Sequence, residues 1–306
     1  MSRRVHVRVP ATSANLGPGF DTLGLALGLY NEIEARPAEA TTVTVEGEGA
    51  GRLPTNDRNV VVRAMRLAYD AAGRPVEPWT VRCLNRIPTA RGLGSSAAAW
   101  VGGVVAGNAL LGLPLDRAAL LRLAARAEGH PDNVAAALYG GLTVVGGDGD
   151  AVIALSLPVP PSLVWIVLVP AVTSATAEAR AMLPATVPRA DAVFNVQRVA
   201  LLLASLQAGD IDTLAIALDD RLHQPYRRKL FPWLPTVAAA ARAAGALGCV
   251  LSGAGPSLLA VARNAAEGQA VAAALEKSIA SAGVVGVARA LAVDAPGAAA
   301  SVDAAP

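Results

Sequence analysis

Residues 88–98 read Pro88-Thr89-Ala90-Arg91-Gly92-Leu93-Gly94-Ser95-Ser96-Ala97-Ala98, and no other stretch of the 306-residue chain constrains the fold as tightly. A strand-like run from Trp79 to Ile87 leads in, and Pro88 stops it. From Ser95 a long series of small residues leads out as a helix. The two glycines let the backbone turn tightly, so that successive N–H groups converge at the positive end of that helix, a site suited to an anion. Ser95 and Ser96 add hydroxyls that suit phosphate oxygens or Mg²⁺. Taken alone, the same residues also describe a plain strand-to-helix turn with a serine N-cap.

Composition narrows the choice. Of 26 Lys and Arg residues only Lys229 and Lys277 are lysine, and neither follows a glycine-rich loop. That excludes a Walker-A loop, a protein-kinase strand lysine and Schiff-base chemistry. Phosphate handled here must meet backbone amides, a helix end and arginine. A net charge of +2 is too small for a nucleic-acid footprint. Cys83 and Cys249 lie far apart with no C-x-x-C, as expected of free thiols in a reducing cytosol. The N-terminus alternates (Val5, Val7, Val9) instead of forming an apolar leader, so no signal peptide is expected. The apolar run Ala97 to Leu113 contains Asn108 and is shorter than the ~20 residues a membrane span needs, so it reads as a buried helix. These features point to a soluble cytoplasmic protein.

Outward from the loop, the length favours two domains. A strand over Val5–Val9 ends at Pro10, a glycine-punctuated loop runs from Ala11 to Asp21, and Thr41–Val45 is a second strand. Asn59–Ala72 reads as a helix, and Asp116 caps another that reaches Glu128. A short helix at Val134–Tyr139 and strands at Leu142–Val145, Val152–Leu157 and Leu163–Val169 follow, with Gly147-Asp148-Gly149-Asp150 as a hairpin turn. Pro158-Val159-Pro160-Pro161 is the expected hinge between a domain over 1–158 and one over 159–295. In the second half, helices are expected at Ala175–Leu183, Arg189–Ala208, Asp212–Leu218, Leu234–Ala244 and Ala265–Ser281. Strands are expected at Cys249–Ser252, Leu258–Ala262 and Val284–Ala292, and residues 296–306 as a disordered tail. Helices and strands mix throughout, which gives an α+β or α/β class.

Gly92-Leu93-Gly94-Ser95-Ser96-Ala97 resembles the phosphate loop of the GHMP kinases, which bind ATP without a Walker lysine. Other segments match that family in order. They are Val9-Pro10-Ala11-Thr12-Ser13-Ala14-Asn15-Leu16-Gly17-Pro18-Gly19-Phe20-Asp21, then Glu128-Gly129-His130-Pro131-Asp132-Asn133, then Pro225-Tyr226-Arg227, and lastly Ser252-Gly253-Ala254-Gly255-Pro256-Ser257. The first three are similar to the homoserine kinase branch, and the likeness covers residues 5 to 293.

The resemblance implies an α+β fold of two domains. The N-terminal one is like domain 2 of ribosomal protein S5 and the C-terminal one is ferredoxin-like; return of the last strand to the N-terminal domain is left open. It implies transfer of the ATP phosphoryl group to the L-homoserine hydroxyl, giving O-phospho-L-homoserine and ADP, in threonine biosynthesis. Residues 88–98 and Asn59 would hold ATP, and Ser96 and Glu128 the Mg²⁺, with Ser95 as the alternative hydroxyl. Thr176, Arg180 and Arg227 would meet the substrate, the two arginines at its carboxylate. Asp21 and Asp132 would take its ammonium, with Asn15, His130 and Asn133 around the hydroxyl; roles among these five are interchangeable. Asn15 and Asn133 are the catalytic positions, and an amide at 133 implies no dedicated protein base. A homodimer is compatible with the family, and no nucleic-acid or membrane partner is expected. The competing readings are another small-molecule kinase of this superfamily, for mevalonate or shikimate, and a silent ligand-binding relative.

Overall fold

The computed structural model describes residues 3–148 and 151–303, which build two sheets. The chain opens with β1 (Arg4–Ala14), β2 (Leu23–Pro37), β3 (Thr42–Gly47), α1 (Val60–Ala71) and β4 (Trp79–Asn85). Then come α2 (Ser95–Leu110), α3 (Arg117–Glu128) and α4 (Asp132–Tyr139), and the hairpin β5 (Leu142–Asp148) and β6 (Ala151–Leu157). The second half begins with β7 (Val164–Pro170), α5 (Thr176–Ala181), α6 (Arg189–Ala208), α7 (Leu214–Ala217), α8 (Gln224–Arg227) and α9 (Leu234–Ala243). It closes with β8 (Gly248–Leu251), β9 (Leu258–Ala262), α10 (Ala265–Ser281), β10 (Gly286–Leu291) and β11 (Ala299–Asp303).

The first sheet has the order β11-β1-β2-β4-β3, with β5 on β2 and β6 outside it. The second has the order β10-β7-β9-β8, all antiparallel, the ferredoxin-like βαββαβ arrangement. The helix starts follow from their caps. Asn59 accepts from Val61 N–H at 2.9 Å, Asp116 from Ala119 N–H at 2.7 Å, and Asn264 from Glu267 N–H at 3.0 Å.

Period-2 alternation explains how β7 serves two cores at once. Trp165 and Val167 join the core shared with the first sheet, while Ile166 and Leu168 join a separate cluster with Val237, Leu275 and Ile279. α2 is buried almost all round, which accounts for its high hydropathy without any membrane. Among the described residues no helix is long and apolar enough to cross a bilayer. Its glycines set the packing distance. A β-carbon on Gly103 would lie 2.4 Å from Ala64 Cβ and 2.5 Å from the Val61 carbonyl oxygen, so α1 lies directly against the α2 backbone.

Two expectations are corrected, two elements are added, and the open question of the last strand is answered. β1 does not end at Pro10 but runs to Ala14, because a register shift between Pro10 and Ala11 absorbs the proline's missing donor. β2 and α8 have no counterpart in the sequence reading, although Leu23, Leu25, Leu27 and Leu29 alternate with small residues. Residues 299–303 are not a disordered tail: they form β11, antiparallel to β1. The strand that stays in the second sheet is β10, and the chain returns to the first sheet only after it, bridging Leu27 to Val293. Gly149 and Asp150 of the expected hairpin turn lie outside the described residues, and β5 and β6 pair on either side of them.

Gly103→Val should force α1 away from α2 and destabilise the protein by about 1–3 kcal/mol, read as a lowered Tm in thermal melts. An unchanged Tm would show that the close approach carries no load.

Candidate active site

Two distant segments converge on the loop that precedes α2. Thr12 N–H donates to the Leu93 carbonyl at 3.1 Å, and Ser252 Oγ donates to the Gly92 carbonyl at 2.7 Å. Gly253 N–H donates to the Ala14 carbonyl at 3.1 Å, and Asn15 Nδ2 to the Gly253 carbonyl at 2.9 Å. Gly92 (φ +74°) and Gly94 (φ +69°) both adopt the left-handed conformation that favours glycine. A β-carbon on Gly92 would lie 2.2 Å from the Ser252 carbonyl oxygen, and one on Gly94 only 1.9 Å from Thr12 Oγ1. Gly94 is the α2 N-cap and supplies no side-chain acceptor, so the first N–H groups of the helix are left for a ligand.

Beside this loop, a cavity of about 230 Å³ is lined by Asn59, Leu53, Thr89, Ala90, Ser95 and Ser96, among others. The Arg91 guanidinium faces elsewhere, with Nε on the Pro170 carbonyl at 2.9 Å and its far end on Ala171. Its contribution is to tie the loop to the second sheet.

Ser96 Oγ donates to Glu128 Oε2 at 2.6 Å, which joins the loop to the end of α3. Burial pushes the Glu128 carboxyl above the usual carboxylate range, against the pull of the Ser96 hydroxyl. A hydroxyl and a half-buried carboxylate that gains from a cation are a donor set that fits a hard divalent ion. Among the described residues no group of three or more His, Cys, Asp or Glu could cage a metal alone.

On the far side of Glu128 lies the predicted cluster of His130, Asp132 and Asn133. Asp132 Oδ1 accepts from Asn133 N–H at 2.7 Å and lies 3.2 Å from His130 Nδ1. That contact with Asp132 holds the His130 pKa above its ordinary value, against the effect of burial. Asn133 Oδ1 accepts from Thr12 Oγ1 at 2.8 Å, so the amide is fixed by the same threonine that crowds Gly94. Asp21 and His130 both border a wider cavity of about 820 Å³ between α3 and the β5–β6 hairpin.

The two predicted arginines are brought together but differ in state. Arg180 grips Asp21 with both nitrogens of its fork at 2.8 Å, and this raises its pKa further. Arg227 is 2% exposed, and burial brings its pKa down to about 10. Both guanidinium carbons stand over the Phe20 ring, at 5.4 and 5.5 Å from its centre. Asn15 (φ +71°) turns the chain so that its Oδ1 receives Asp21 N–H at 3.1 Å, and thereby orients that carboxylate. Thr176 is exposed at the start of α5, one turn before Arg180, and among the described residues its side chain makes no hydrogen bond to this cluster.

Sequence reasoning assigned no role to Thr12, Phe20, Ser252, Asp220 or His223. The first three lay inside the motifs quoted, and the other two stand just upstream of Pro225-Tyr226-Arg227, where that closeness to the motif was the available signal.

The chain is similar to known proteins over most of its length. Residues 59–141 match the GHMP kinases N terminal domain model, and residues 202–280 the GHMP kinases C terminal model. A homoserine kinase of Moorella thermoacetica is 50% identical over 258 residues, 84% of this chain and 87% of that one. One from Carboxydothermus hydrogenoformans is 47% identical over 281 residues, 92% of this chain and 91% of that one. The crystal structure of homoserine kinase from Cytophaga hutchinsonii superposes with a TM-score of 0.90 at 31% identity, covering 97% of each chain. L. major mevalonate kinase shares the fold at 18% identity, with a TM-score of 0.69 over 92% of this chain and 94% of that one.

The His130–Asp132 pair makes a pH prediction. A histidine whose pKa is raised by folding stabilises the native state fully below its unfolded pKa, and that stabilisation is lost as pH rises through the folded value. The Tm difference between the wild type and Asp132→Asn should therefore be largest near about pH 5.5 and shrink towards about pH 8.5. Melts across that range check it; a difference that grows with pH would contradict the pairing.

Proposed function

The chain belongs to the GHMP kinase family, and on that footing we propose that it transfers the γ-phosphoryl group of ATP to the side-chain hydroxyl of L-homoserine. The observation that carries this reading is the Asp21–Arg180 fork beside Arg227, which the Ser252–Gly253 turn links to a lysine-free phosphate loop. An amino acid needs a carboxylate partner for its ammonium and guanidinium partners for its carboxylate, and these groups supply both. A sugar or a branched hydroxy acid has no ammonium to occupy such a carboxylate.

The backbone amides at the start of α2 receive the nucleotide phosphates, with Ser95 and Ser96 as adjacent hydroxyl donors and Asn59 at the cavity where the base would lie. Ser96 and Glu128 would hold Mg²⁺, which when bound neutralises charge on the phosphate oxygens. Arg180 and Arg227 orient the substrate carboxylate, and Asp21 and Asp132 its ammonium. His130 and Asn133 lie where the hydroxyl would be positioned. Asn133 is an amide and takes no proton, so the hydroxyl proton passes to the transferred phosphoryl group or to solvent. Phosphoryl transfer has a loose transition state in which positioning and charge complementarity supply most of the acceleration, so no protein base is needed. The product, O-phospho-L-homoserine, places the enzyme in threonine biosynthesis, and we assign it to the cytoplasm.

ADP release measured in parallel with L-homoserine, mevalonate, shikimate and galactose should show turnover only with L-homoserine. Turnover with mevalonate and none with L-homoserine would overturn the assignment, and none with any of the four would favour a silent binding relative. Arg180→Lys loses the two-nitrogen grip and should raise the KM for L-homoserine about tenfold while leaving kcat within about threefold. Ser96→Ala should depress kcat and weaken the Mg²⁺ dependence, whereas wild-type kinetics would remove Ser96 as a ligand.

A further inference from the structure

We propose that His223 is a positioning residue for the substrate carboxylate: a buried, neutral imidazole that fixes which edge of Arg227 faces the site. The inference rests on the reading of Arg227 as a carboxylate partner and adds a residue that never touches the substrate. His223 is 0% exposed and stands at the N-cap of α8, one helical turn before Arg227. Its two ring nitrogens meet groups of opposite character. Nε2 lies 2.7 Å from the Gly17 carbonyl oxygen, which only accepts, so Nε2 carries the hydrogen. Nδ1 lies 3.0 Å from an Arg227 terminal nitrogen, which only donates, so Nδ1 is bare. The surroundings thus select the neutral Nε2–H tautomer. Burial pulls its pKa below the ordinary value in the same direction, with Arg227 assisting and Asp220 opposing.

The consequence falls on Arg227. Its Nε donates to the Ala179 carbonyl at 3.3 Å, and Nη1 donates both to His223 Nδ1 and to the Gly253 carbonyl at 3.1 Å. Nη2 has no hydrogen-bond partner among the described residues, so its two N–H groups remain for a ligand. His223 is the one side chain in this set; the other acceptors are backbone carbonyls fixed by the fold.

The same imidazole joins the two halves of the substrate reader. Through Gly17 it holds the loop that leads to Asp21, and its ring stacks on Phe20 at 5.4 Å. Asp220 secures it from behind, accepting from the N–H groups of Leu222, His223 and Gln224 and from Asn195 Nδ2. Asn195 Nδ2, on α6, also donates to the Pro18 carbonyl at 3.0 Å, so α6 links that loop to Asp220 ahead of α8. His223 therefore sets the spacing between the ammonium partner and the carboxylate partner.

The test compares His223→Phe with His223→Gln. Phenylalanine keeps the volume and the stack on Phe20 but removes both hydrogen bonds; glutamine retains one donor and one acceptor. Steady-state kinetics are measured with L-homoserine, with ATP, and with 3-aminopropan-1-ol, which lacks only the carboxylate. His223→Phe should raise the KM for L-homoserine about tenfold, the loss expected for one charge-assisted hydrogen bond, and cut the preference over 3-aminopropan-1-ol by the same factor. The KM for ATP should stay within about twofold, and His223→Gln should recover most of the loss. An unchanged KM for L-homoserine in His223→Phe would overturn the proposal. So would an equal loss with both amino alcohols, or a fall in both KM-defined affinities together, because each marks a merely structural role. If His223→Phe does not fold, a failure of folded His223→Gln to stay within about threefold of the wild type in that preference overturns it equally. A wild-type chain that ignores L-homoserine but uses another alcohol overturns the functional reading itself, whereas wild-type turnover with unaltered variants overturns only the role of His223.

Discussion

A β-carbon on Gly92 would occupy almost the same space as the Ser252 carbonyl oxygen, 2.2 Å away, and the architecture of the site depends on that carbon's absence. With hydrogen there, the loop before α2 presses its backbone onto the glycine turn after β8, and Ser252 Oγ closes the contact on the Gly92 carbonyl. Thr12 then fits against Gly94 and reaches Asn133, so a strand end, a helix start and a helix N-terminus share one threonine. Each segment is short and would be loose alone. Their mutual contact removes conformational freedom before any ligand arrives, which is the condition under which backbone amides act as a preorganised anion site.

How much of this could be read from the residues varied with the kind of information involved. Helices with a side-chain cap were legible because the cap is local: Asn59, Asp116 and Asn264 each announce a helix start. The phosphate loop was legible because glycine and serine stand at fixed offsets between a strand and a helix. β2 was missed although Leu23, Leu25, Leu27 and Leu29 alternate, because glycines at Gly24 and Gly28 resemble loop punctuation. They are instead close approaches, a β-carbon on Gly24 being blocked by the Asp132 carbonyl oxygen at 2.5 Å. β11 was missed for the opposite reason. Its Ala-rich sequence carries no periodicity, and its partner β1 lies nearly 300 residues away. The residues proposed for the site were named in sequence, but their partners were not. That Arg180 meets Asp21 while Arg227 sinks against His223 is decided by tertiary contacts between segments that local pattern cannot relate.

The contrast between the two arginines has an energetic sense. Arg180 lies at the surface and answers its charge with a flexible carboxylate, an interaction that water screens and that a ligand can replace. Arg227 has given up most of its hydration and is compensated by carbonyls and an imidazole, none of which carries a full negative charge. A buried cation without a counter-ion is poorly stabilised in the empty protein. On the proposed reading an incoming carboxylate would relieve that condition, and part of the binding strength would be stored in the unliganded fold. On that reading the exposed arginine would give the site its adaptability and the buried one its selectivity.

Finally, the path of the backbone after β10 carries a mechanical consequence. Ala26 and Gly28 hydrogen-bond to Asp294 and Ala292, Tyr30 Oη donates to Asp294 at 2.8 Å, and β11 then zips onto β1. The ferredoxin-like unit is thus spliced into the N-terminal domain and tethered to it by two strands of chain, one near Pro158–Pro161 and one near Val293. Two tethers remove most relative motions of the two bodies. Trp165 and Val167 of β7 sit in the core shared with the first sheet, so packing as well as the two tethers holds the second sheet to the first. The first and last strands, β1 and β11, lie side by side in that sheet, so the segments that lead into and out of the inserted unit are closed by one ladder of hydrogen bonds.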